Sequence, residues 1–230
     1  MRDEKSTAIV LLSGGMDSAL CLALAVKDNY IPATLHLNYG QRTQKKELQA
    51  FEKLSNYYNV KERLVVDVNH LSQIGGSSLT DSKINVAENA IEESTINNVP
   101  NSYVPFRNAN ILAIAVSWAE VINAKAIYIG ASQVDFSGYP DCKAEFFDAF
   151  QNVINTGTKP ETNINIITPL INLTKTDIVR DSLKLNVPIE YTWSCYQNDD
   201  EACGVCDSCL LRLKGFKEAE FQDKIKYKSS

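Results

Sequence analysis

Long apolar runs are scarce in this chain. The one strongly apolar stretch near the start is Ala8-Ile9-Val10-Leu11-Leu12, far short of the ~20 residues a membrane-spanning helix needs and too short for the apolar centre of a secretory signal. No membrane partner is therefore expected, and the protein is placed in the cytosol. Positive charge is also in short supply. Twenty-three Lys and Arg face 28 Asp and Glu, for a net charge of −5 and a pI of about 5.2, which leaves no broad basic face for a phosphate backbone. A stable nucleic-acid partner is not expected. No G-x-x-x-x-G-K-[ST] occurs, which excludes a Walker A site. There are only two histidines, His36 and His70, and neither falls into a catalytic arrangement, so structural roles are expected for both. Internal repeats and low-complexity tracts are absent.

What is present is an ordinary globular mixture: 230 residues, 44% hydrophobic and 22% charged, a size that suits one principal core with a small appendage. Apolar, β-prone runs at Thr7 to Leu12, Ala33 to Leu37, Arg63 to Val68, Ala126 to Ile129 and Ile164 to Ile167 alternate with stretches of helical composition. The helices are predicted at Ser18 to Lys27, Thr43 to Tyr58, Asn108 to Asn123, Ala144 to Asn155 and Lys175 to Leu185. Parallel strands need long crossovers that pack back onto the sheet, so this alternation predicts an α/β fold with a doubly wound parallel sheet. Residues 69–101, rich in Ser, Asn, Thr and Glu, read as a surface insertion, either a lid near a ligand or an idle loop. The expected division is a main α/β domain over 1–190 and a small C-terminal module with a helix over 191–230.

The segment Leu12-Ser13-Gly14-Gly15-Met16-Asp17-Ser18 leaves a buried-type strand and enters a helix, the place where open α/β sheets bind ligands. Gly14 and Gly15 permit a tight bend and close approach of an anion, while Ser13, Ser18 and the free N–H groups of the helix start supply donors to phosphate. Asp17 would repel phosphate unless it organises a magnesium ion or caps the helix. On residue types alone, a plain strand-to-helix turn with an Asp cap remains an alternative.

Cys195, Cys203, Cys206 and Cys209 are spaced C-x7-C-x2-C-x2-C, clustering that reads as metal binding rather than disulfides. Four thiolates suit a closed, structural zinc site with no coordination position for water; an iron–sulfur cluster and a redox pair are the alternatives. Leu210, Leu211, Leu213 and Phe216 are expected to dock the module on the main domain. Cys21 reads as core, whereas Cys142 stands in the run Tyr139-Pro140-Asp141-Cys142 and is harder to dismiss.

The hexapeptide SGGMDS after the first strand resembles the PP-loop of the ATP pyrophosphatase superfamily. Further segments, namely Tyr39-Gly40-Gln41-Arg42, Val104-Pro105-Phe106-Arg107-Asn108, the run from Asp135 to Cys142 (DFSGYPDC), and Thr168-Pro169-Leu170 followed by Lys175, resemble the 7-cyano-7-deazaguanine synthase family in order and spacing. Together with the cysteine cluster they cover most of the chain. The resemblance implies that Leu12, Ser13, Gly14, Gly15, Met16, Asp17, Ser18, Ala19, Leu20, Cys21 and Leu22 wrap ATP with its magnesium. It implies catalytic roles for Ser13, Asp17, Ser18, Arg107 and Lys175, and substrate contacts from Arg42, Asp135, Phe136, Gly138, Tyr139 and Asp141. Asp135 and Asp141 can accept from a guanine edge, and Phe136 or Tyr139 can stack.

The implied reaction joins 7-carboxy-7-deazaguanine and ammonia through adenylated acid and amide to a nitrile, with one zinc ion per chain and a homodimer as the assembly. Ammonia is expected from solution or from a separate protein. Departures from the family pattern are Thr43, where His is usual, Phe106, where Gly is frequent, and the wording of Gly130-Ala131-Ser132-Gln133-Val134. They keep an amide ligase on a related carboxylate, or a tRNA-modifying relative, in view.

Overall fold

The computed structural model describes residues 5–89, 99–134 and 138–228. In chain order its elements are β1 (Thr7–Leu11), α1 (Met16–Lys27), β2 (Ile31–Asn38), α2 (Gln44–Tyr57), β3 (Glu62–Asp67), α3 (His70–Ile74), α4 (Arg107–Ile122), β4 (Ala126–Tyr128), α5 (Ala144–Gly157), β5 (Asn165–Ile167), α6 (Lys175–Lys184) and α7 (Asp207–Glu218). Short 3-10 turns occur at Pro140–Cys142 and Ile189–Tyr191. The strands form one sheet in the order β3-β2-β1-β4-β5, and all of its pairings are parallel. The expected doubly wound sheet is therefore present, with strand and helix limits within two residues of those read from the sequence.

The central strand explains why both faces must be covered. Along β1, Ala8 and Val10 point into a core with α1, α2, α6 and Phe216 of α7, while Ile9 and Leu11 point into a second core with α4 and α5. All four are buried, as the alternation of side chains across a strand requires. Fully burying aliphatic side chains of this size contributes roughly 1.5–3 kcal/mol each, so a polar residue at Ile9 or Val10 would be felt by the whole sheet.

The strand order reverses between β1 and β4, and a doubly wound sheet opens its ligand crevice at the carboxyl ends of the strands at such a point. The loop 12–15 lies there. It lies close to the residues that follow β4: a Cβ on Gly130 would stand 3.0 Å from the carbonyl carbon of Asp17 and 3.1 Å from Ser18 N. Glycine at this position thus lets the chain that leaves β4 approach the first turn of α1 closely.

Of the 69–101 insertion, α3 is the one regular helix among the described residues. The stretch after it is tied down by Arg42, whose guanidinium donates to the carbonyls of Ser78 (2.7 Å), Asp81 (3.1 Å) and Ile84 (2.8 Å). Its far end bridges to the cysteine cluster through Glu88 and Cys206. The C-terminal helix docks differently from the face read in the sequence. Leu210, Leu211 and Leu213 are half-buried, and the buried positions of α7 are Cys209, Arg212, Gly215 and Phe216. Phe216 was foreseen; a buried arginine in the middle of that face was not.

Candidate functional site

A cavity of about 310 Å³ opens at the strand-order reversal, and Ser13, Asp17, Ser18, Arg107, Tyr139 and Lys175 all line it. These residues come from four separated parts of the chain. The PP-loop part is organised by short-range bonds. Ser13 Oγ accepts from Gly15 N (3.2 Å) and lies 3.1 Å from Ser18 Oγ, which itself donates to the Gly15 carbonyl (2.9 Å). Gly14 has φ +94, and a Cβ there would lie 2.7 Å from the Glu47 carbonyl oxygen, so neither the conformation nor the space admits a side chain. His36 fixes the exit of β1, because its buried Nδ1 lies 3.0 Å from the Leu12 carbonyl. Since a carbonyl only accepts, Nδ1 carries the proton. Burial lowers the pKa of this ring and favours the neutral form. His70 instead touches Asn110.

Asp17 does not cap α1, for which no side-chain cap bond forms. Its carboxylate receives Lys175 Nζ on both oxygens, at 2.9 and 2.8 Å. Lys175 opens α6, and the local sequence shows why the helix starts there: Thr174 and Asp177 form a reciprocal capping box, which satisfies two N–H groups of the first turn. A pair 158 residues apart in sequence thus becomes the polar floor of the cavity.

Arg107 opens α4. Its NH1 donates to Tyr39 Oη at 3.1 Å, and its Nε is buried without a partner among the described residues. Arg107 as a whole lines the cavity, and a guanidinium there suits an anionic group that arrives with the ligand. Around it stand Tyr39, Tyr139, Tyr196 and Cys142. Burial pushes the Tyr39 phenol up to about 12 and the Cys142 thiol up to about 11, so both face the cavity neutral at physiological pH. Tyr139 donates to Ser102 Oγ (2.9 Å) and offers a ring to the cavity.

Other residues named from the sequence sit elsewhere. Asp141 is buried, and its Oδ2 accepts from Asn108 N at 2.9 Å, capping the first turn of α4 next to Arg107. Its backbone carbonyl accepts from Asn108 Nδ2 (2.8 Å). Burial raises its pKa. Arg42 and Gly138 do not appear on the cavity wall, nor do Gly14, Ala19, Leu20, Cys21 and Leu22; Leu12 and Met16 do. Ala19, Leu20, Cys21 and Leu22 form the buried side of α1. Asp135 and Phe136 lie outside the described residues. The departures have local explanations. Phe106 takes a left-handed conformation, φ 56, the region glycine enters without strain, and its ring is 61% exposed against Phe146. Thr43 is buried and donates to Glu47 Oε1 at 2.8 Å, while Gln41 donates to Glu47 Oε2 at 3.1 Å, holding that carboxylate at the cavity edge.

The sequence reading missed Glu47, Gly130, Trp193 and Arg212. Trp193 N donates to the Gly14 carbonyl at 2.9 Å, and Lys46 Nζ stands 4.5 Å over its ring. Its one sequence signal was its place just before the first cysteine of the cluster.

In that cluster the sulfurs of Cys195, Cys203, Cys206 and Cys209 all lie within 4.8 Å of one another. Cys195 Sγ accepts from the N–H groups of Gln197, Asn198 and Cys203, and Cys203 Sγ from those of Val205 and Cys206, at 3.3–3.5 Å. Such bonds favour thiolates over thiols, and the donor set fits a metal ion.

The site and fold define a nucleotide-binding α/β protein of the PP-loop ATP pyrophosphatase kind. Residues 7–220 match the family described as Queuosine biosynthesis protein QueC. The chain is 53% identical over 221 residues to the 7-cyano-7-deazaguanine synthase of Chloroherpeton thalassium, covering 96% of both. With that of Campylobacter curvus it shares 50% over 220 residues, covering 96% of this chain and 97% of the relative. Among solved structures, a 4-thiouridine synthetase in complex with RNA and ATP is similar in fold at 16% identity and a TM-score of 0.53. That likeness covers 94% of this chain and 50% of that one. The chain belongs to the QueC family, and its relatives make it an ATP-dependent ligase that forms carbon–nitrogen bonds.

Proposed function

We propose that the chain carries out the reaction for which its relatives are named, making 7-cyano-7-deazaguanine from 7-carboxy-7-deazaguanine, ammonia and ATP. The observation that carries this reading is the convergence of the PP-loop, the Asp17–Lys175 pair and Arg107 on one cavity. The carboxylate oxygen of the acid attacks the α-phosphorus of ATP, and the bond to pyrophosphate breaks. Ammonia adds to the acyl adenylate, loses a proton and expels AMP, leaving an amide. The amide oxygen attacks the α-phosphorus of a further ATP, releasing pyrophosphate and one N–H proton; loss of the second N–H proton and of AMP then yields the nitrile.

Each step turns a poor oxygen leaving group into a good one, so the protein's task is to hold negative charge as it moves. Ser13, Ser18 and the first N–H groups of α1 receive the phosphates. Lys175 and Arg107 balance the charge that develops on pyrophosphate and AMP. Asp17 orients Lys175 and would supply a carboxylate ligand to a magnesium ion, which when bound would offset phosphate charge. Tyr139 is the cavity residue assigned to the deazaguanine side; Asp135, Phe136, Gly138, Asp141 and Arg42 are assigned to substrate by the family resemblance alone, and of these Gly138, Asp141 and Arg42 stand off the cavity wall. The neutral Cys142 thiol needs no covalent part in the sequence.

For the cysteine cluster we propose one structural zinc ion. Zn–S bonds of about 2.3 Å imply sulfurs about 3.8 Å apart, and Cys203 and Cys209 stand 3.9 Å apart. Thiolates that each bind a different iron of a cluster stand farther apart than this compact set. The cluster and α7 form a module over 191–230 that closes the catalytic domain over 1–190. Among the described residues no helix is long and apolar enough to cross a membrane. A cytoplasmic homodimer that holds no nucleic acid fits the acidic composition.

The test supplies purified protein with ATP, magnesium, the acid and nitrogen-labelled ammonium. The expected products are AMP, pyrophosphate and a nitrile carrying one label, and the amide given alone should become nitrile without label. ADP and phosphate as products would overturn the PP-loop chemistry. A reaction that stops at the amide would make the chain an amide ligase.

A further inference from the structure

Arg212 is among the largest fully buried side chains, 1% exposed, and a guanidinium in that position is tolerated only when its donors are met. All of them are. Nε and NH2 donate to the Asp223 carboxylate at 2.6 and 3.0 Å, NH1 to Thr192 Oγ1 at 2.8 Å and Ser194 Oγ at 3.2 Å, and NH2 to the Ile189 carbonyl at 3.3 Å. A guanidinium has five N–H groups, and those five bonds use them all. Although Arg212 reaches the cavity wall, it therefore has no donor left for a ligand.

Neutralising Asp223 requires only part of this set. The rest grips the hydroxyls on either side of Trp193, and Trp193 N holds the Gly14 carbonyl of the PP-loop. On its other side Gly14 is already against α2, at the Glu47 carbonyl. The loop is wedged between a helix backbone and a segment whose position Arg212 sets. One turn further along α7, Gly215 leaves the room in which Lys175 lies; a Cβ there would fall 2.7 Å from Lys175 Cγ and 3.0 Å from its carbonyl oxygen. One turn before Arg212 is Cys209 of the metal cluster. Spacings of three residues keep these positions near one face of the helix.

We infer that Arg212 is a positioning residue for nucleotide binding, which through Thr192, Ser194 and Trp193 fixes the PP-loop in the attitude the phosphates of ATP require. The inference rests on the ATP reading above and goes beyond it by giving the C-terminal helix a part in ATP affinity. Asp223, which also accepts from Tyr227 Oη (2.7 Å), anchors the guanidinium from the far side.

The experiment measures binding of ATP, and separately of inorganic pyrophosphate, without the acid substrate, to wild type, R212K and the double variant T192V/S194A. Metal content and thermal melting are followed in parallel. Lysine keeps the charge for Asp223 but is a point donor that cannot span both hydroxyls. The double variant keeps the Arg212–Asp223 pair and removes its grip on the loop. Both variants should retain metal and melt cooperatively, yet bind ATP and pyrophosphate about 10-fold or more weakly, as small displacements of a positioned group allow. A merely structural role would lower the melting temperature and leave the affinity of the folded protein unchanged, and that result would overturn the inference. Should R212K fail to fold, the double variant decides alone. Wild type that binds neither probe would instead bring down the ATP reading, and this inference with it.

Discussion

At the PP-loop, the chain around Ser13, Gly14 and Gly15 makes a tight turn and brings the first residues of α1 to the wall of a cavity. At the cysteine cluster, the turns around Gln197, Asn198 and Val205 look similar in material, short and polar, but their N–H groups are donated to Cys195 and Cys203 sulfurs. The difference lies in who supplies the negative charge. The loop leaves its donors for an anion that comes and goes, whereas the cluster has built the anions into the chain and needs a cation to hold them together. A turn of the first kind gains little stability until its ligand arrives and must be braced from outside. A turn of the second kind, once loaded with metal, can serve as the brace. The bond from Trp193 N to the Gly14 carbonyl, two residues before Cys195, is where the two meet.

The sharpest way to break this comparison is to remove the cation. Structural zinc contributes roughly 10–16 kcal/mol of apparent binding energy in small peptides. Cys206→Ser should therefore abolish stoichiometric metal, lower the melting temperature strongly and weaken ATP binding, since the brace behind Gly14 loosens. Metal analysis of wild type that finds iron with sulfide, or an active protein with no metal, would end the argument from a braced loop. Asp17→Asn comes next in size. It removes the anion that holds Lys175 while leaving the core alone, and turnover should fall by about 10²–10³-fold, the usual cost of losing one charge-stabilising group in an active site, with little change in melting or metal content. Full activity in this variant would reduce the Asp17–Lys175 pair to a structural ion pair.

Gly130→Ala tests how tightly the loop is held from the β4 side. The added Cβ meets backbone atoms of Asp17 and Ser18 at 3.0–3.1 Å, so either the chain after β4 or the first turn of α1, which follows the loop directly, must shift. A loss of about 1–3 kcal/mol is expected, read as a fall of roughly 2–4 °C in melting temperature per kcal/mol, together with weaker ATP binding. An unchanged melt with unchanged affinity would mean the crevice has slack the structure does not suggest.

What the sequence made legible follows the same division. The strand and helix pattern was readable because burial on both faces of β1 demands continuous apolar residues, and the crossover helices are long enough to show their period. The PP-loop and the cysteines were readable because neighbours in sequence make both. The pairing of Asp17 with Lys175, the cap that Asp141 places on α4, the pinning of the insertion by Arg42 and the grip of Arg212 were not readable as geometry. Each joins residues that only the folded sheet brings together, and an arginine or aspartate in sequence reads first as a solvated charge. Phe106 is a middle case. Its departure from the family's frequent glycine was visible, but its meaning needed the backbone angle.

That angle gives the smallest and most discriminating effect. At φ 56, Phe106 bears a left-handed cost of about 1–2 kcal/mol, which Phe106→Gly would remove. Against this, glycine has more backbone freedom to lose on folding, about 0.5–1 kcal/mol, and the edge-to-face contact with Phe146 at 6.3 Å disappears, a contact of about 0.5–1.5 kcal/mol when fully formed. The ring is 61% exposed, which places that contact at the low end. The terms nearly cancel, so the melting temperature should move by no more than about 2–4 °C. Because Phe106 is not on the cavity wall, ATP affinity and turnover should stay at wild-type values. A tenfold loss of turnover with an unchanged melt would show that the ring reaches the deazaguanine side when substrate is bound, and the site's wall would then have to be redrawn to include it.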